Sequence, residues 1–127
     1  MILPVLYISD STEKGRGVFT SADIPANTTI EIAPVIVLSK TDRKMIDQTQ
    51  LYYYIFEWGK NKQKGALGLG YVSMYNHNYN ANCEYEMDYD ANTISVKTIK
   101  SIKAGDELYI NYNATPDDDT PVWFEVK

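Results

Sequence analysis

Tyr75-Asn76-His77-Asn78-Tyr79-Asn80-Ala81-Asn82-Cys83 contains the only histidine and the only cysteine of the chain. Asparagine side chains compete for backbone hydrogen bonds, so a stretch this rich in asparagine favours turns and caps over an ordinary strand or helix. The apolar, glycine-studded run Ala66 to Met74 leads into it, and an alternating segment leads out. Two readings are open for a polar, aromatic-flanked loop so framed. It is a tight turn whose amides satisfy the backbone, or a buried polar site whose amides hold a ligand.

Downstream, Cys83, Tyr85, Met87 and Tyr89 alternate with Glu84, Glu86, Asp88 and Asp90. This period of two predicts a half-buried antiparallel strand with one acidic face. Asp90-Ala91-Asn92 turns the chain, Thr93 to Ile99 returns it, and Lys103-Ala104-Gly105-Asp106 turns it again. Glu107 to Tyr112 is the next short strand, along which Tyr109 and Tyr112, three residues apart, point to opposite faces.

Upstream, the glycines within Ala66 to Val72 predict close backbone packing or a bend. Gly59 to Gly65 is a lysine-rich loop, and the strongly aromatic Leu51 to Trp58 reads as a strand. Ser39 to Gln50 has helical spacing, with Ser39 or Thr41 as its cap and Met45 and Ile46 facing inward. Thr28 to Leu38 is a β-branched run in which Pro34 predicts an edge strand, a bulge or a break. Asp23 to Asn27 is a turn, with Pro25 presetting φ and Asn27 tolerating the left-handed region. The same turn chemistry recurs around Ile102 to Leu108. Ile2 to Ser9 and Gly17 to Thr20 are the first strands. In the loop between them, Gly15 and Gly17 free the backbone for positive φ or close approach to a ligand. A hairpin turn fits equally well. The chain is therefore mainly β, with little helix.

Composition narrows the function. A chain of 127 residues at 44% hydrophobic is read as one domain with its own core. No apolar run is long enough to span a bilayer. The start lacks the basic region and cleavage site of a signal peptide. One cysteine excludes an internal disulfide and a cysteine-built zinc site, which fits a reducing, intracellular setting. A net charge of −5 argues against direct nucleic-acid binding and suits a basic partner such as a lysine-rich peptide. Dinucleotide, P-loop and EF-hand patterns are absent, and one histidine does not make a triad of the usual form. Most of the eleven tyrosines are core or cross-strand partners, with a few left to line a channel. Exposed strand edges and the Val122-Trp123-Phe124 tail need cover, which predicts a homodimer.

Four segments, in order, resemble motifs of the SET domain, the family of S-adenosylmethionine-dependent protein lysine methyltransferases. Lys14-Gly15-Arg16-Gly17-Val18-Phe19 looks like the N-terminal cofactor loop, and Asp23 through Glu31 is similar to the turn and strand that follow it. Asn76 to Cys83 resembles the asparagine-histidine motif, and Gly105 to Tyr112 resembles the Gly-Glu-Glu-Leu…Tyr motif. The resemblance covers roughly residues 5–113, with 114–127 as a tail, and residues 1–127 are expected to form a single SET-like domain. Asn78, Tyr79 and Ala81 stand where the family usually has serine, cysteine and proline. The cysteine-rich flanks of many members are missing, and in size the chain is similar to the short viral members.

The resemblance implies a fold of several small antiparallel sheets with a C-terminal pseudoknot. It implies S-adenosylmethionine as cofactor and a lysine-bearing protein or peptide as substrate. The main chain of Gly15, Arg16 and Gly17 would approach the methionine portion. Asn76 through its amide, and His77 through its main chain, would meet the adenosine, while Asn82 would brace the loop. Tyr112 would be the catalytic tyrosine and would also touch the cofactor. Tyr54 matches a channel tyrosine, or is a core aromatic of its strand. The alternative is a SET-like module that binds peptides or dimerises without catalysis.

Overall fold

The computed structural model describes residues 1–11 and 15–112. In chain order the first elements are β1 (Leu6–Ser11), β2 (Gly15–Thr20), β3 (Thr29–Leu38) and α1 (Lys40–Ile46). A 3-10 helix at Gln50–Tyr54 precedes β4 (Ile55–Trp58) and β5 (Lys64–Gly68). A second 3-10 turn, Val72–Met74, leads into β6 (Asn76–His77), β7 (Cys83–Asp88), β8 (Thr93–Thr98) and β9 (Glu107–Ile110). One sheet has four strands in the order β1-β2-β9-β6, and the other has five in the order β4-β5-β3-β8-β7. The mainly β fold is as expected. In the smaller sheet the last strand does not end at an edge. It sits between β2, to which it is antiparallel, and β6, to which it is parallel. This is the strand arrangement of the expected pseudoknot.

The β7–β8 hairpin follows its alternation. Cys83 and Tyr85 are buried, and so are Ile94, Val96 and Thr98 of the partner strand, while Glu84 and Lys97 pair on the outer face at 3.2 Å. The core continues through Ile30, Val18, Leu108, Ile110 and Tyr75, all essentially inaccessible. Asn27 and Gly105 take positive φ, at 61° and 92°, as two turns of one chemistry require. These turns also meet, because Ile24 and Ile102 exchange backbone hydrogen bonds at 2.8 Å each.

Several elements differ from the sequence expectation. Leu51 to Trp58 is not one strand. Thr49 caps a 3-10 helix through its hydroxyl, which accepts from Leu51 N, and only Ile55–Trp58 is extended. A run of four aromatic and aliphatic residues has no period to favour one state, so the local cap decides. Helix α1 is capped by Ser39, but Met45 is 65% exposed rather than inward. The helix is too short to bury a full stripe.

Pro34 lies in a central strand. The first half of β3 pairs with β8 and the second half with β5, and Pro34 stands where the ladder changes partner. A register shift occurs earlier, between Thr29 and Glu31. The first strand begins at Leu6, with Ile2 making only an isolated bridge to Glu31. Lys64 and Gly65, expected in a loop, begin β5. Val122-Trp123-Phe124, on which the homodimer rests, lies outside the described residues. Among the described residues, no helix is long and apolar enough to cross a membrane.

Gly68 packs directly on Val72, and a β-carbon there would collide with Val72 Cγ1. Overpacking at such a contact costs about 1–3 kcal/mol. Gly68→Ala is therefore expected to lower the urea midpoint by that equivalent with an unchanged slope. A midpoint at the wild-type value would show that this contact is slack.

Candidate active site

A two-residue strand such as β6 contributes few ladder bonds, so side chains must help hold β9 in place. Asn82 does so with its whole amide. Its Nδ2 donates to Glu107 O at 2.9 Å, and its Oδ1 accepts from Tyr109 N at 2.8 Å. The His77 ring adds a third tie, since Nδ1 accepts from Tyr112 N at 3.0 Å. That bond places the imidazole proton on the other nitrogen. His77 is buried, with the Tyr79 ring edge-on at 4.3 Å and the Tyr112 ring tilted at 5.0 Å.

Glu107 is the hub of the polar end. Asn76 Nδ2 donates to Glu107 Oε2 at 2.7 Å and to Arg16 O at 3.2 Å, and Tyr109 OH donates to Glu107 Oε1 at 3.1 Å. Gly17 is buried against this pair. A β-carbon there would run into Glu107 Oε2 and stand 2.7 Å from Asn76 Nδ2. The requirement for glycine is thus close approach. At Gly15 it is conformation: φ is +73° and the space beside it is open.

Tyr112 lies just past the end of β9. Its hydroxyl donates to Tyr75 O at 2.7 Å, and its own carbonyl accepts from Tyr85 OH at 3.1 Å. Burial pushes the Tyr112 phenol well above its ordinary value, and the neighbouring Tyr54 and Glu107 push the same way. It is therefore a neutral hydrogen-bonding group across the physiological range. Tyr112, Tyr54, Tyr53, Tyr75, Phe56, Val72 and Ser73 line a narrow cleft of about 10 Å³, room for about one water.

The structure thus links Arg16, Gly17, Asn76, His77 and Tyr112 through successive contacts, with Gly15 preceding Arg16 in β2, and Tyr54 and Tyr112 both line the cleft. The resemblance assigned the Asn76 amide and the His77 main chain to the adenosine. In the fold, Asn76 Nδ2 donates to Glu107 and to the Arg16 carbonyl, and the His77 side chain orders Tyr112. Glu107 belongs to the segment that resembles the Gly-Glu-Glu-Leu…Tyr motif, but it was not assigned to the cofactor or the chemistry. Its place in the Glu-Leu-x-Ile-x-Tyr pattern was the available sign. Tyr109 shares a face with Glu107, and the alternation that would set it opposite Tyr112 stops at Ile110. Among the described residues, no cluster of three or more His, Cys, Asp or Glu side chains could hold a metal ion.

This arrangement of split sheets around an inserted final strand defines a class. A SET domain family model matches residues 15–113. The chain belongs to the SET domain family. It is 42% identical over 121 residues to a Schizosaccharomyces pombe histone-lysine N-methyltransferase, H3 lysine-37 specific, covering 94% of this chain and 77% of that protein. A Plasmodium falciparum candidate histone methyltransferase superposes with a TM-score of 0.65 at 28% identity, covering 87% of this chain and 95% of the other. A chain of the Chaetomium thermophilum Polycomb Repressive Complex 2 shares the fold, with a TM-score of 0.69 at 22% identity, over 91% of this chain and 16% of its own.

Losing the Asn82 amide would orphan a half-buried carbonyl and a half-buried N–H together. Each unmade partner costs about 1–3 kcal/mol. Asn82→Ala is expected to lower stability by at least that amount in chemical denaturation, and Asn82→Asp to recover part of it through the Tyr109 N–H. Equal stability of all three forms would show that β9 is held by its ladder alone.

Proposed function

We propose that this protein is an S-adenosylmethionine-dependent protein lysine N-methyltransferase, and that its substrate is a lysine on a basic, histone-like tail. The observation that carries this is the Tyr112 hydroxyl, held on the Tyr75 carbonyl inside a tyrosine-lined cleft. The likeness to the yeast H3 lysine enzyme and the net charge of −5 favour a basic substrate. In this reading residues 1–127 work as one unit, within the cell.

The residues fit the cofactor. Gly15 offers open main chain at positive φ, and Arg16 is fastened through its carbonyl to Asn76. Gly17, next in β2, packs against the Asn76–Glu107 pair. We assign Gly15, Arg16, Gly17, Asn76, His77 and Tyr112 to this site. Asn76 and His77 act mainly by fixing the loop and Tyr112. When bound, the cofactor supplies an electrophilic methyl on a sulfonium and leaves as S-adenosylhomocysteine.

Transfer is an in-line displacement, so the amine must arrive without its extra proton, against a free value of about 10.4. The cleft as it stands has room for about one water, so the tyrosine rings must part to admit the lysine chain. Aromatic walls would then disfavour the ammonium form by desolvation and align the methylenes. Tyr54 and Tyr112 both line this cleft, which suits a channel wall. The neutral Tyr112 phenol donates to Tyr75 O and retains lone pairs that can accept from the amine. It orients rather than deprotonates. The proton goes to solvent. The unusual Asn78 and Tyr79 are accommodated: Asn78 Oδ1 accepts from Asn80 N at 2.8 Å to make the turn, and Tyr79 packs on His77. The loop therefore keeps its shape with these residues in place, and turnover decides between a working enzyme and an inactive module.

Calorimetric titration is expected to show S-adenosylhomocysteine binding to the wild type and weaker binding to Asn76→Ala, which leaves Glu107 short of a donor. Absence of binding by the folded wild type would remove the enzyme reading.

Tyr112→Phe deletes one oxygen and keeps the ring. Loss of one positioned polar group typically lowers turnover by about two orders of magnitude or more. That loss is expected in a histone-peptide methylation assay, with cofactor affinity nearly unchanged. Tyr89→Phe, on the exposed β7–β8 turn, should be neutral. Full activity of Tyr112→Phe would refute the assignment.

A further inference from the structure

Glu31 of β3 is completely buried, with 0% of its surface accessible. A carboxyl group in such a place is expensive unless donors surround it. Two donors do, and both come from one distant segment. Tyr71 N donates to Oε2 at 2.7 Å and Tyr75 OH donates to Oε1 at 2.9 Å, and the Val72 backbone beside them also favours the charged carboxylate. Gly70, at φ +90°, passes so close that a β-carbon would stand 2.7 Å from Oε2.

The segment so gripped includes the 3-10 turn Val72–Met74, which has no side-chain cap of its own. Its first N–H groups would be buried orphans without Glu31. Glu31 therefore caps this turn from forty residues away. The turn then runs into Tyr75. One end of Tyr75 is the hydroxyl held by Glu31, and the other is the carbonyl that receives the Tyr112 hydroxyl at 2.7 Å. Val72, Ser73 and Tyr75 also line the cleft. Burial raises the Glu31 carboxyl, while the hydrogen bonds from Tyr71 and Tyr75 and the Val72 backbone pull it back. Burial, and then Glu31, raise the Tyr75 phenol far above its ordinary value, so it stays a donor.

We propose that Glu31 is a positioning residue for methyl transfer, acting through Tyr75 to set the acceptor that aims the Tyr112 hydroxyl. This rests on the reading of Tyr112 given above. The relay is asymmetric in its needs. Glutamine at position 31 would keep the shape but present an amide N–H to a ring of donors. Phenylalanine at position 75 would keep the packing but release the ring from the carboxyl.

The test is a set of cycles: Tyr75→Phe and Glu31→Gln, each alone and combined with Tyr112→Phe. Displacement of an aligned group by about 1 Å can cost as much as a hundredfold in rate. Each single variant is expected to lower kcat by about tenfold or more, with the affinity for S-adenosylhomocysteine and the cofactor KM near wild type. In the Tyr112→Phe background the further loss should vanish, because the hydroxyl being aimed is gone. Losses that multiply unchanged in that background would overturn the proposal, as would unimpaired single variants. If Glu31→Gln does not fold, Tyr75→Phe carries the test.

A second readout needs no turnover. In protein with 13C-labelled tyrosine rings, the Tyr112 resonance, identified by its loss in Tyr112→Phe, should move in Tyr75→Phe. If the wild type transfers no methyl, the enzyme reading fails. The ring resonance then decides the relay, and an unmoved Tyr112 signal overturns it.

Discussion

Insertion of β9 between β2 and β6 is the constraint on which the rest of the structure depends. A strand flanked on both sides must satisfy donors and acceptors along both edges, yet β6 offers only Asn76 and His77. The shortfall is met by side chains. Asn82 imitates a strand neighbour by accepting from Tyr109 N and donating to Glu107 O, and the His77 ring accepts from Tyr112 N. Each group is buried or half-buried, so water is a poor substitute. Fixing β9 in this way sets three distant segments side by side: Arg16–Gly17, Asn76–Asn82 and Glu107–Tyr112.

The resulting region has two ends of different character. At the polar end, Glu107 gathers donors from Asn76 and Tyr109 beside Gly17, with the exposed Gly15 and Arg16 just before it in β2. At the aromatic end, Tyr54, Phe56, Tyr75 and Tyr112 close round a space of about one water. His77 joins them: its ring is packed between Tyr79 and Tyr112, and its nitrogen orders the Tyr112 backbone. Under the proposed function, the polar end would take a charged cofactor and the aromatic end an aliphatic lysine chain, which make opposite demands on solvation.

The five-stranded sheet serves this region indirectly. β3 changes partner at Pro34, so its first half can carry Glu31 into the core beneath the Val72–Met74 turn. Cys83, by contrast, is a packing residue. Burial pushes its thiol up to about 12, which removes the thiolate that reactivity requires.

Much was legible in the chain itself. The β7–β8 hairpin followed from strict alternation, the two turns from Asn27 and Gly105, and the close approach near Gly68 from a glycine in an apolar run. The motif order around Asn76 and Tyr112 identified the family. Other features had no one-dimensional sign. The consecutive aromatics before Ile55 have no period, so a single Thr49 cap settled them as 3-10 helix. Asn76 and His77 became a strand only because β9 lay alongside. Glu31 looks like an ordinary acid in a strand until its donors, contributed from forty or more residues away, are in place. By itself the sequence determined alternation, turns and motif order, because these depend on neighbours within a few residues. Only the tertiary structure decided which side chains meet, because that depends on the register between strands far apart in the chain.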